Sequence, residues 1–196
     1  MTVPITINEI AQQSGYQILG HERLAGRQAK FLPIPSRLHE SVRNLIAQSY
    51  PAGLYAHQAE AIDAVLKGDD ICLATSTASG KSLVYMVSAA DMILRDKDFK
   101  VIAFYPARAL IQDQLGKWEA ILKPLNLNFG FVDGSLPMQK RLPVLENSRV
   151  VLMTPDVAHA WLMSNLNVRE IRSFLGDIKF LILDEAHIYE GVFGTN

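Results

Sequence analysis

Five short apolar runs, at 71–74, 101–105, 128–132, 150–153 and 180–183, punctuate the chain, and most are separated by stretches of helical periodicity. A run that is apolar at successive positions, rather than alternating, keeps no face for water. Strands buried on both faces and joined through helices are parallel strands of a layered sheet. The expected fold class is therefore α/β, a parallel sheet with helices on both faces. Helices are expected at 83–94, 107–122, 137–145, 157–163 and 168–175. Another carries the stripe Ala59, Ile62, Val65, Leu66 and stops at Lys67-Gly68.

The pattern changes near Pro51-Ala52-Gly53, which divides an N-terminal extension, 1–52, from a regular unit, 53–196. In the extension, Thr6 and Glu9 have capping-box spacing for a short helix. Pro33-Ile34-Pro35 forces an extended link, and Leu38, Val42, Leu45 and Ile46 form one helical stripe.

With 49% hydrophobic residues in a chain of 196, a real core is within reach. The 19 basic and 20 acidic residues give a net charge of -1, which leaves a nucleic-acid partner open, because a basic groove can be local. The one cysteine, Cys72, excludes an internal disulfide and lies in an apolar run, so a buried thiol is expected. No stretch reads as a signal peptide or a membrane span, so a soluble cytoplasmic protein is the default expectation.

Run 71–74 leads into Thr75-Ser76-Thr77-Ala78-Ser79-Gly80-Lys81-Ser82 and then into an apolar helix. Small residues there would let backbone N–H groups wrap phosphates, and the helix N-terminus adds partial positive charge. Thr77, Ala78, Ser79 and Gly80 would supply that cradle. Lys81 could reach the outer phosphates and the Ser82 hydroxyl could ligate Mg²⁺, so ATP with Mg²⁺ is the expected cofactor. The usual first glycine is Thr75 here, and a bare Gly-Lys-Ser also serves as a surface helix start.

Run 180–183 passes directly into Asp184-Glu185. Two carboxylates at the end of a buried strand are costly unless a cation sits there. With a phosphate loop in the same sheet, Asp184 would hold Mg²⁺ and Glu185 would orient an attacking water. The alternative is a plain helix N-cap.

Asp184-Glu185-Ala186-His187 resembles motif II of the superfamily 2 DEAD/DEAH-box helicases. The run from Leu181 to Gly194, and Leu54-Tyr55-Ala56-His57-Gln58-Ala59-Glu60-Ala61-Ile62, are similar to the MrfA/YprA-like DNA-repair helicases. The resemblance covers 53–196 and implies the first RecA-like P-loop domain of such a motor. It implies that Gln58 reads the adenine edge, that the Tyr55 ring could stack on the base, and that His187 couples the nucleotide site to the motor. Tyr105-Pro106-Ala107-Arg108-Ala109-Leu110, Asp133-Gly134-Ser135 and Thr154-Pro155-Asp156 look like three loops that grip one nucleic-acid strand, DNA in preference to RNA. Pro106, Arg108, Gly134, Ser135, Thr154, Pro155 and Asp156 are the residues it assigns. Each is also readable as a plain strand-to-helix turn.

The resemblance further implies a second RecA-like domain that supplies arginines to the transferring phosphoryl group. On this view the chain is C-terminally truncated, lacks an interior strand between 71–74 and 180–183, and is inactive alone. The expected function is the ATP-binding front part of a nucleic-acid helicase. The competing expectation is a non-catalytic nucleotide- or nucleic-acid-binding module. Trp118 and Trp161, at helical positions, are expected in the core.

Overall fold

The computed structural model describes residues 29–75 and 79–189, together with Gln17. The short helix expected to start with the Thr6 and Glu9 capping box, and Thr77 and Ala78, lie outside the described residues.

Strand β1 (Phe31–Leu32) pairs antiparallel with β2 (Leu54–Tyr55), Phe31 opposite Tyr55. Between them runs α1 (Glu40–Ser49), whose N-cap His39 accepts a bond from Ser41 N through its ring. Helix α2 (Ala56–Lys67) follows β2 and ends on Gly68, where φ is +95° and the N–H groups of Gly68 and Asp69 close the last turn on Val65 and Ala64. Next come α3 (Lys81–Arg95), β3 (Lys100–Phe104), α4 (Arg108–Leu122), β4 (Phe129–Val132), α5 (Met138–Asn147) and β5 (Val150–Met153). A helical turn α6 (Pro155–Val157), helix α7 (Arg169–Asp177) and β6 (Ile178–Leu183) complete the described elements.

Four strands form a sheet in the order β4-β5-β3-β6, and every neighbouring pair is parallel. The pleat sorts their side chains into two cores. Val101, Ala103, Val150 and Leu152 pack with α1 to α4 on one face. Ile102, Val151 and Met153 pack with Val157, Trp161, Ile171 and Phe174 on the other. In β3 and β5 the apolar runs without alternation thus became strands covered on both sides, as the α/β reading requires. Burying each such Val, Ile or Leu is worth about 1.5–3 kcal/mol. Trp118 and Trp161 are both buried. Leu38, Val42 and Ile46, from the segment read as an extension, belong to the same core as α3.

Three expectations fail, the buried thiol at Cys72 among them. Residues 71–75 are not a strand: they pair with no described strand, and Ile71 and Cys72 are exposed. An apolar run becomes a strand only where it pairs with a neighbour, and 71–75 do not pair with β6, which stays the edge of the sheet with Leu181 and Leu183 exposed. The helix expected at 157–163 is also broken up. It runs as α6, a π turn (Ala158–Leu162) and a 3-10 turn (Met163–Asn165).

Candidate functional site

Because all four strands are parallel, the loops that follow them leave the same edge of the sheet. Residues 105–108 follow β3, 133–135 follow β4, 154–156 follow β5 and 184–187 follow β6. The sheet ladder continues into two of them. Tyr105 N donates to Met153 O at 3.0 Å, and Asp184 N to Phe104 O at 3.0 Å.

The loop expected to cradle phosphates enters α3 through Gly80, whose φ of +77° is a left-handed conformation that glycine adopts without strain. Lys81 Nζ donates across the loop to Thr75 O at 2.9 Å, and the hydroxyls of Thr75 and Ser79 are 2.6 Å apart. Helix α2 holds the loop from the side. His57 Nε2 lies 2.9 Å from Ser79 O, and Gln58 Nε2 donates to Gly80 O at 3.0 Å. Gln58 is 3% exposed, and its Oε1 accepts from Tyr55 N at 3.1 Å. The Tyr55 ring stacks on Phe31 with centroids 5.0 Å apart and on His57 at 5.8 Å. Both residues that the resemblance directs at the adenine therefore have protein partners in this structure.

Asp184 and Glu185 sit at the mouth of the same edge. Burial pushes the Asp184 carboxyl above the usual carboxylate range, the Glu185 charge pushes it further, and Lys81 and Lys117 draw it back. Glu185 has φ of +50°, a costly conformation for a residue with a Cβ, of the kind that collects at functional sites. His187 Nδ1 is 3.3 Å from Glu185 Oε2. No cluster of three or more potential metal ligands exists among the described residues. Crowded carboxylate charge beside a phosphate-type loop and the Ser82 hydroxyl fits a hard cation that draws its remaining ligands from phosphate and water.

Behind the site lies a polar chain in the core. Trp118 Nε1 donates to Tyr105 Oη at 3.0 Å, and the Tyr85 and Tyr105 hydroxyls are 3.2 Å apart. Burial and then the Asp184 charge push the Tyr85 phenol up to about 12, while a hydrogen bond with Ser82 opposes them.

The strand-end loops reach the surface. Arg108, Gly134, Ser135 and Asp156 are exposed, whereas Pro106 and Pro155 are half-buried and Thr154 is buried. Thr154 caps α6 with its carbonyl, which accepts from Val157 N and Ala158 N. Arg108 Nε donates to Asp133 Oδ2 at 3.2 Å. Asp133 Oδ1 accepts from Ser135 N at 2.8 Å and from Ser135 Oγ at 2.5 Å. Sequence reasoning missed the roles of Asp133 and His57. Their adjacency to Gly134 and Gln58 was the only signal.

Residues 55–196 match the DEAD/DEAH box helicase family. The ATP-dependent helicase HRQ1 of Saccharomyces cerevisiae is 35% identical over 146 residues, 72% of this chain and 13% of that protein. The ATP-dependent helicase YprA of Bacillus subtilis is 28% identical over 181 residues, 91% of this chain and 24% of that protein. The crystal structure of the DUF1998 helicase MrfA bound to DNA and AMPPNP superposes with a TM-score of 0.84 and 28% identity, covering 94% of this chain and 26% of that one. The chain thus spans at most about a quarter of these relatives. No described helix is long and apolar enough to cross a membrane. A parallel sheet with helices on both faces, a lysine-bearing loop at a helix start and an acidic pair at the end of β6 are the frame on which that match is laid, and the chain belongs to the DEAD/DEAH box helicase family.

Proposed function

We propose that this chain is the nucleotide-binding motor unit of an ATP-dependent helicase acting on DNA. The observation that carries the reading is one sheet edge bearing both the Asp184-Glu185 pair after β6 and the exposed loops around Arg108, Gly134 and Asp156. Backbone N–H groups from Thr77 to Lys81 cradle the phosphates of ATP, and Lys81 compensates their charge. Ser82 and Asp184 hold Mg²⁺, which supplies charge neutralisation at the phosphates when bound, and Glu185 orients the attacking water. Tyr55 and Gln58 serve the adenine end, and His187 links the site to the moving parts.

Pro106, Arg108, Gly134, Ser135, Thr154, Pro155 and Asp156 grip the backbone of one strand. Such contacts position without reading sequence. DNA is favoured because MrfA, which shares the fold at 28% identity, is described bound to it. Residues 53–196 form the motor unit and 1–52 its lead-in. A second RecA-like domain completes the ATP site with arginines, so the chain alone turns ATP over negligibly. DNA repair follows only from the resemblance to the MrfA/YprA-like helicases.

ATP hydrolysis, measured with and without single-stranded DNA, tests the proposal in this chain and in a parent of the relatives' length. The expected result is no DNA-stimulated hydrolysis by the chain, and turnover in the parent that Lys81→Ala and Glu185→Gln abolish. Turnover that survives Lys81→Ala would remove the phosphate-loop assignment. A parent that binds ATP and DNA without turnover would leave a non-catalytic binding module.

A further inference from the structure

Two consecutive carbonyls of the phosphate loop are held by two consecutive side chains of α2. His57 takes Ser79 O at 2.9 Å and Gln58 takes Gly80 O at 3.0 Å. A carbonyl oxygen only accepts, so His57 Nε2 carries the proton and donates it. There are no cis peptide bonds among the described residues, and in a trans peptide the C=O and the following N–H point to opposite sides. Tying Ser79 O to α2 therefore turns the Gly80 N–H away from α2. Tying Gly80 O does the same for the Lys81 N–H. The first N–H groups of a helix are the donors an anion meets there, and the Gly80 N–H stands at the N-cap of α3.

The geometry leaves no slack for a side chain on the loop. A Cβ on Gly80 would lie 2.3 Å from Gln58 Nε2. The His57 ring is itself aimed. It lies within 10° of parallel to the Tyr55 ring, and Tyr55 stacks on Phe31, its ladder partner in β1. A line of contacts thus runs from β1 through Tyr55 and His57 to Ser79.

We propose that His57 is a positioning residue of the nucleotide site, which presets the Gly80 amide to receive a phosphate oxygen of a nucleoside triphosphate. This rests on the nucleotide reading above. The bond to Ser79 does the positioning, and the stack on Tyr55 and Phe31 aims the ring.

Two variants separate those parts. His57→Phe keeps a ring for the stack and loses the donor; His57→Gln loses the ring and keeps an N–H at similar reach. Binding of a fluorescent ATP analogue and of adenosine is measured in the 196-residue chain with Mg²⁺, alongside the thermal midpoint. Loss of one bond to the loop weakens triphosphate binding about tenfold in His57→Phe and about threefold or less in His57→Gln. In His57→Phe, which keeps the ring stacked on Tyr55, adenosine binding falls less than triphosphate binding. Wild-type triphosphate affinity in His57→Phe, or equal loss in both variants, would overturn the proposal. The ring nitrogen NMR signals of His57 in the wild-type chain give a second reading that needs neither variant nor nucleotide. A protonated Nε2 with a slowly exchanging proton supports the hold on Ser79, and the other tautomer overturns it. A chain that binds no triphosphate would remove the nucleotide reading and the proposal with it, whereas a chain that binds triphosphate but shows the other tautomer would remove the role of His57 alone.

Discussion

Arg108 donates from Nε to Oδ2 of Asp133 at 3.2 Å, which joins the loop after β3 to the loop after β4 across the end of β5. The two side chains are unlike in environment: Arg108 is 60% exposed and Asp133 is 0% exposed. The carboxylate also closes the turn at Ser135 through that residue's N–H and hydroxyl. One buried acid therefore shapes two of the three loops assigned to a nucleic-acid strand.

That acid makes stability pH-dependent. Burial pushes the Asp133 carboxyl up, but the bonds from Ser135 and the Arg108 charge outweigh it and hold the group below the usual carboxylate range. A folded-state value below the unfolded one contributes stability above about pH 4 and loses it as pH falls through the folded value. Asp133→Asn should lower the thermal midpoint at neutral pH and flatten its acid limb. A scan of midpoint against pH for both proteins reads the difference directly. The gain from Arg108 itself is small, because its side chain is largely in water.

The phenol chain in the core predicts a different kind of loss. Tyr105 is fully buried and receives the Trp118 N–H. Tyr105→Phe keeps the ring and strands that donor in the core, at a cost of about 1–3 kcal/mol. Urea unfolding followed by tryptophan fluorescence measures it. Trp118→Phe in the same background should recover part of the loss, since the orphaned donor is then gone.

Asp91 predicts a local effect. Its buried carboxylate, on α3, accepts from His39 N and from Arg95 Nε at 2.6 Å. Arg95 Nη2 in turn donates to Arg37 O at 2.5 Å. This is where the segment before Gly53 is fastened to the helix of the phosphate loop. Asp91→Ala leaves the His39 N–H without its acceptor and should cost about 1–3 kcal/mol. Hydrogen exchange should rise in Glu40–Ser49 more than in Val150–Met153. A uniform rise through both would show that α1 is not docked by this contact.

Much of the architecture could be read before any coordinates. The strand at 150–153 was expected residue for residue, because Val150, Val151, Leu152 and Met153 are all buried and the run has a charged residue before it and a Thr-Pro turn after it. Helices α3, α4 and α7 lie within a few residues of their expected bounds. Loops that each follow a parallel strand had to share an edge, so the gathering of Asp184, Arg108 and Thr154 on one side was implicit in the order of elements, whereas the loop of Lys81 follows no described strand. Apolar periodicity is local information, and it decides which residues must leave water.

What the sequence by itself determined is thus the class of fold and the edge of the sheet to which its strand-end loops belong. The tertiary structure alone decided which groups meet. Run 71–74 has the composition of a strand, yet Cys72 is exposed, because a strand exists only when another strand satisfies its backbone. His57 and Ser79 are 22 residues apart, and Arg108 and Asp133 are 25 apart. Nothing in either neighbourhood names the other. Hydrogen bonds of that kind depend on distances of a few tenths of an ångström, which the packing of α2 against α3 and of β4 beside β5 sets and no local pattern carries.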